Sequence, residues 1–284
     1  MSRIEKALEK AAQLRKKENG TDSKLDQVVR SATGPDQQGE EGGPAKISHE
    51  GRPVQTLQID HPMIFTFSDP RSPIAEEFRK LKSTLVNLAR QGDLRKTVMI
   101  TSSLSGEGKS VTAINLAITL AQEYDHTVLL VDADLRKPSI HKYFHLTPKV
   151  GLADCLCDGL DLSEAIIRTN IGKLSFIPAG REVENPAELL GAQRMKALVQ
   201  EMRNRYPDRF VIIDTPPVLP VAETRSLSTY IDGVIFVIRE GMVSPQHIND
   251  ALGAIHRKKV LGVVYNHIRN ESLSGRYHYY YHGY

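Results

Sequence analysis

The chain has 284 residues, 40% of them hydrophobic, a formal net charge of +3 and two cysteines. That length accommodates one sizeable α/β domain with tails. No apolar run reaches the ~18 residues of a membrane span, the N-terminus lacks the apolar core of a secretory signal, and so weak a charge gives no ground for expecting nucleic acid as a partner.

Residues 1–17 carry Arg3, Lys6, Lys10, Arg15, Lys16 and Lys17 against Glu5 and Glu9, so the positive charge is concentrated there. Ile4, Leu8, Ala11 and Ala12 recur at helical spacing, which predicts a short basic amphipathic helix. It suits anionic lipid or a partner helix; the plainer alternative is a solvated helix with no such role. Residues 18–58 are rich in Gly, Pro, Ser, Gln and charge and read as a flexible linker. Folded structure is expected to resume between Leu57 and Phe67, opening a domain over 59–270. A helix is expected over 73–90, with Ile74, Phe78, Leu81, Leu85 and Leu88 on one stripe.

From residue 97 apolar, β-branched runs alternate with helical patterns. Strands are expected at 97–101, 127–131, 173–177, 209–213, 233–238 and 260–265. Helices are expected at 109–122, at 186–204 with a break near Gly191, and at 245–257, with two shorter helical pieces between 151 and 168. Cys155 and Cys157 are too close for an ordinary disulfide and lack partners at metal-ligand spacing, so both read as small packing residues. Such an order predicts an α/β fold: a parallel sheet with helices on both faces and any ligand at the carboxyl ends of the strands. Residues 271–284 form a polar, aromatic tail.

Three strand ends carry the chemistry. Val98-Met99-Ile100 empties into Ser102-Ser103-Leu104-Ser105-Gly106-Glu107-Gly108, and Lys109-Ser110-Val111 opens the next helix. Strand, glycine-rich loop and helix opening at Lys-Ser is the context of a P-loop. Its backbone N–H groups and the helix N-terminus favour a phosphate, Lys109 reaches β- or γ-phosphate, and Ser110 offers a hydroxyl to Mg²⁺. Residues 105–111 are thus the candidate phosphate site. The usual first glycine is replaced by Ser103. The strand 128–131 ends in Asp132-Ala133-Asp134, and the strand 210–213 ends in Asp214-Thr215-Pro216-Pro217. Ser110, Asp132 and Asp214 are the candidate metal contacts. Asp132 and Asp134 share one face of an extended segment, and spacing alone does not say which of them acts as base.

These three motifs together resemble those of the bacterial tyrosine autokinases (BY-kinases), relatives of the deviant-Walker, MinD/ParA-like ATPases within the P-loop NTPase fold. Gly151-Leu152-Ala153-Asp154, Ile177-Pro178-Ala179-Gly180 and Asn185–Leu190 also fit the pattern. The resemblance implies ATP and Mg²⁺ as cofactors, with Lys109, Asp132 and Asp134 as catalytic residues. It implies a ring-like homo-oligomer, contacts being made through Glu76, Arg79 and Lys82. Lys82 replaces the family's second arginine, which loses a bidentate contact. By the same resemblance, phosphate passes to the C-terminal tyrosines of a neighbouring copy. Half of the ten tyrosines fall in the last eight residues, as Tyr277, Tyr279, Tyr280, Tyr281 and Tyr284. Asn266 and Arg239, each following a strand, are the candidate adenine contacts. The layout resembles the stand-alone kinases of exopolysaccharide systems, cytoplasmic proteins recruited to the inner face of the inner membrane. There the transmembrane chain-length regulator is a separate protein that serves as activator. The competing reading, a MinD/ParA-type ATPase switch without kinase activity, expects a signature lysine where this chain has Leu104.

Overall fold

In the computed structural model, residues 54–92, 94, 96–205 and 208–268 are described. The basic segment 1–17, most of the expected linker and the tyrosine cluster in 271–284 lie outside them. Packing is in place by Leu57, which is buried and whose N–H donates to the Asn170 side chain at 2.9 Å. Gln55 already bridges Thr169.

The strands are β1 (Thr97–Ser102), β2 (Thr127–Asp132), β3 (Ile167–Arg168), β4 (Leu174–Ile177), β5 (Arg209–Asp214), β6 (Gly233–Arg239) and β7 (Val260–Asn266). They form one sheet in the order β3-β4-β2-β5-β1-β6-β7. Every neighbouring pair is parallel except β3 with β4. Six of the strands were legible from apolar runs. The short β3 was not, because two residues carry no period.

Alternation along the strands feeds two apolar layers, as a sheet covered on both faces requires. Val98, Ile100, Val128, Leu130, Phe210 and Ile212 pack on one side. There they meet α2 (Pro73–Arg90) through Leu85 and Val86, and α3 (Lys109–Ala121) through Ile114, Ala117 and Ile118. A single turn, α1 (Phe65–Ser68), packs beside them. Met99, Leu129, Val131, Val211 and Ile213 face the other side, towards Met195, Val199 and Met202 and towards Ala251.

Helix α2 keeps its expected span. Ser72 caps it by accepting from Ala75 N–H at 3.2 Å, and Pro73 takes the first turn, where a missing N–H costs nothing. Ile74 departs from the expected stripe: it sits in that first turn and stays exposed. After α4 (Ile140–Tyr143), the expected short pieces are α5 (Leu152–Cys157) and α6 (Leu162–Ala165), and the break near Gly191 separates α7 (Pro186–Gly191) from α8 (Gln193–Asn204). Then come α9 (Glu223–Ser228) and α10 (Pro245–Ala254), the latter three residues shorter than expected because Ile255 turns extended to bury its side chain. The helices α1, α4 and α9 are too short to show a 3.6-residue period. Cys155 is buried as expected, whereas Cys157 is exposed on the last turn of α5.

Candidate active site

A parallel sheet delivers all its strand C-termini to one edge, and here that edge receives the phosphate loop, both aspartate-bearing strand ends, Arg239 and Asn266. The loop from Ser103 to Gly108 runs from the end of β1 into α3. Gly106 (φ +87°) and Gly108 (φ +97°) sit in the left-handed region, so both glycines are conformationally required. Gly108 is also packed tightly: a Cβ there would lie 2.1 Å from Asn266 Nδ2. Ser103 is different. Among the described residues the only non-glycine positions with positive φ are Lys96, His145 and His267, so nothing in the backbone asks for glycine at 103. Its carbonyl accepts from Leu219 N–H at 3.2 Å, which fixes the loop's start to the segment after β5.

Lys109 and Ser110 are the first residues of α3, where unpaired N–H groups and the helix dipole favour an anion. The Lys109 residue is 7% exposed. Ser110 Oγ lies 3.1 Å from Ser139 Oγ. Ser105 and Gly106 are exposed at the loop's crown, and Val111 is half-buried behind Ser110.

Asp132 and Asp214 stand side by side as a register pair of β2 and β5, both without exposed surface. Asp132 is held from three directions. Its Oδ1 accepts from Asp134 N–H at 3.2 Å, and its Oδ2 accepts from the N–H groups of Ser139 and Ile140, each at 3.1 Å. Burial nevertheless pushes its pKa up to about 7, against those hydrogen bonds and with the negative charge of Asp134 adding to the rise. Asp214 is pushed up to about 8 by burial first and by the charge of Asp132 second; Lys109 and the Ser110 hydroxyl oppose the rise. Neither Asp214 oxygen meets a donor at hydrogen-bonding geometry among the described residues.

A buried carboxylate with both oxygens unsatisfied, beside a second carboxylate and a hydroxyl, fits a hard divalent cation. Among the described residues no group of three or more His, Cys, Asp or Glu side chains could hold a metal by itself. Two carboxylates and Ser110 therefore leave room for phosphate oxygens and water, the ligation Mg²⁺ prefers. Asp134 is half-buried and spends one oxygen on Lys137 N–H at 3.0 Å; its other oxygen accepts from no described residue.

Arg239 and Asn266 end β6 and β7 in register with each other. Both are engaged with the loop: Arg239 Nη1 donates to Gly106 O at 3.2 Å, and Asn266 Nδ2 donates to Glu107 O at 3.0 Å. Further away, Glu76 and Arg79 on α2 pair with each other at 2.6 Å, both half-exposed, while Lys82 is turned to Glu123 at 2.9 Å. The Gly151–Asp154 and Ile177–Gly180 segments meet. Leu152 N–H donates to Pro178 O and Ala153 N–H to Ala179 O, each at 2.8 Å.

Three features were not legible in the sequence. Ser139 supplies a backbone donor to Asp132 and a hydroxyl to Ser110; the only hint was a Pro-Ser turn seven residues after Asp132. Glu223, without exposed surface on α9, is ion-paired with Arg136 beside the Asp132–Asp134 segment, and no local pattern marks it. Glu107 is in the candidate phosphate site, but its enclosure within the loop was not legible, since it occupies a variable position of the motif.

Comparison with known proteins gives the site a context. A family model described as an AAA domain matches residues 95–260. The tyrosine-protein kinase YwqD of Bacillus subtilis is 37% identical over 222 residues, 78% of this chain and 91% of that protein. The succinoglycan biosynthesis transport protein ExoP of Rhizobium meliloti is 32% identical over 202 residues, 69% of this chain and 25% of that much longer protein. Among solved structures, the kinase domain of the Escherichia coli tyrosine kinase ETK superposes with a TM-score of 0.66 at 26% identity, over 72% of this chain and 79% of that one. The MinD protein of Pyrococcus horikoshii, at 18% identity and a TM-score of 0.50 over 60% of this chain and 68% of its own, shares the fold alone.

Proposed function

The chain belongs to the bacterial tyrosine-kinase family of AAA-domain proteins, and from that premise we propose that it is an ATP-dependent protein-tyrosine autokinase acting on its own C-terminal cluster. The observation that carries the reading is the convergence at one sheet edge of a P-loop, Lys109, Ser110 and the paired carboxylates Asp132 and Asp214.

The geometry supports the following roles. The N–H groups of residues 105–111 and the N-terminus of α3 receive the β- and γ-phosphates. Lys109 places its ammonium against the charge that spreads over the γ-phosphoryl oxygens. Ser110, Asp132 and Asp214 would hold Mg²⁺, which when bound neutralises charge on the β- and γ-phosphates. Asp134, with one oxygen uncommitted among the described residues, takes the proton of the attacking phenol, whose pKa is about 10 in water. The bond from the tyrosine oxygen to γ-phosphorus forms as the bond to the β,γ-bridging oxygen breaks, and ADP leaves. The adenine ring of the nucleotide is assigned to the ends of β6 and β7, beside Arg239 and Asn266.

The acceptors are Tyr277, Tyr279, Tyr280, Tyr281 and Tyr284, presented in trans within a ring-like homo-oligomer whose contacts involve the face of Glu76, Arg79 and Lys82. The partner outside the ring is a separate transmembrane regulator of polysaccharide chain length, which recruits the kinase to the inner face of the inner membrane. The similarity to ExoP, a succinoglycan biosynthesis transport protein by name, supports the polysaccharide setting, and among the described residues no helix is long and apolar enough to cross a membrane. The test is incubation with radiolabelled ATP and Mg²⁺. Wild type takes up label in its C-terminal peptide, Lys109→Met takes up none, and a chain with the five tail tyrosines changed to phenylalanine loses most of it. Label unchanged by the tail substitutions would move the acceptor elsewhere.

A further inference from the structure

Glu107 has a property that phosphate binding does not call for. It is an acidic side chain, without exposed surface, inside a loop that receives anions. By charge alone it opposes phosphate, so its hydrogen bonds must account for it. Oε1 accepts from Leu104 N–H at 2.6 Å, closing the turn of the loop on itself. Oε2 accepts from Arg239 N–H at 3.3 Å, at the end of β6. Its carbonyl accepts from the Asn266 amide at the end of β7, and the neighbouring Gly106 carbonyl accepts from the Arg239 guanidinium. Ser102 Oγ donates to Leu104 O at 2.7 Å and holds the same turn from β1. Four hydrogen bonds thus centre on residues 106 and 107: one closes the loop on itself, and three bind it to two strands that carry neither the catalytic lysine nor the metal carboxylates.

From this arrangement we infer that Glu107 is a positioning residue for phosphoryl transfer, holding the loop in its phosphate-receiving shape before nucleotide arrives. The inference rests on the reading of this edge as a Mg·ATP site. A loop that had to order around its ligand would lose conformational entropy on binding. One already fixed at Leu104, Gly106 and Glu107 keeps its N–H groups aimed without reorganisation, the condition under which such dipoles act most strongly on a transferring phosphoryl group. Arg239 and Asn266 act in the same lock through the loop's main chain.

The experiment is calorimetric titration of the full chain with Mg·ADP, paired with steady-state kinetics. Glu107→Ala is expected to weaken Mg·ADP at least tenfold, with kcat/KM falling in step. Formate, a carboxylate small enough for the space left behind, should recover at least threefold of the lost affinity when chloride at equal ionic strength does not. A purely structural defect would not respond to formate. Glu107→Gln keeps an acceptor for Leu104 N–H but turns a donor towards Arg239 N–H, and should fall between the two. If Glu107→Ala fails to fold, Glu107→Gln decides: a loss of threefold or more at unchanged thermal midpoint supports the lock. Affinity within twofold of wild type in the folded variant, or a loss that formate leaves untouched, overturns it. A wild type that bound no Mg·ADP would overturn the reading of the site itself and this inference with it.

Discussion

Asp214 has no donor on either oxygen among the described residues, and its pKa is held near 8, so the nucleotide-free protein takes up protons on folding at this carboxylate pair. The sign of the pH effect follows. Both folded-state pKa values lie above the ordinary aspartate value of 3.8, so the stability tied to the pair is fully present below about pH 4 and is lost as pH rises through about 7 to 8. The thermal midpoint without ligand should therefore fall between about pH 4 and about pH 8 and level off above that. Asp214→Asn should raise that midpoint at the alkaline end while abolishing Mg²⁺-dependent transfer; scanning calorimetry across pH, beside the kinase assay, checks both. A flat profile that Asp214→Asn left unchanged would contradict the assignment. Gly108→Ala meets two obstacles at once, a φ of +97° and the Asn266 amide. It should weaken Mg·ADP by at least about tenfold, equivalent to ~1.4 kcal/mol, in the same titration. At this scale the sequence was legible where a side chain's position is set locally. Lys109, Ser110, Asp132 and Asp214 could be placed because each sits at a strand end or a helix start. Ser139 and Glu223 could not, because their partners are brought to them by the fold. Ser103 looked like a defect in the motif only because the pattern does not say at which positions φ is positive.

Among the elements, β1 and β5 lie inside the sheet with every residue buried, and their continuous apolar runs are what made them readable. The misses follow the same physics in reverse. The helices α1, α4 and α9 and the two-residue β3 are too short to repeat the period that would reveal them. Helix α2 matters to the account because it carries Glu76, Arg79 and Lys82 on the outside of a layer that Leu85 closes from within. Leu85→Ala should cost ~2–5 kcal/mol in urea unfolding, as large-to-small changes at enclosed sites do. It should leave kcat of the folded fraction close to wild type, since Leu85 lies in an apolar layer away from the strand ends. The salt bridge between Glu76 and Arg79 is half-exposed and contributes little within the chain. Arg79→Ala is accordingly expected to change subunit association in sedimentation experiments while shifting the monomer's unfolding midpoint hardly at all.

At the scale of the whole molecule, one edge gathers the phosphate loop, three carboxylates and the ends of six parallel strands, and Asn266 at the end of β7 is hydrogen-bonded to that loop. Phosphate on the tail tyrosines adds close to two negative charges each. Replacing all five with glutamate should lower the oligomer mass seen by light scattering; an unchanged mass would remove charge repulsion from the account. The most direct test of autophosphorylation in trans mixes two variant chains, neither of which can label its own tail. One chain carries Lys109→Met with its tail intact, and the other carries an intact site with all five tail tyrosines changed to phenylalanine. With labelled ATP and Mg²⁺, label should appear in the C-terminal peptide of the Lys109→Met chain. A mixture in which that peptide stays unlabelled, while wild type alone labels its own, would contradict transfer from one copy to the tail of another.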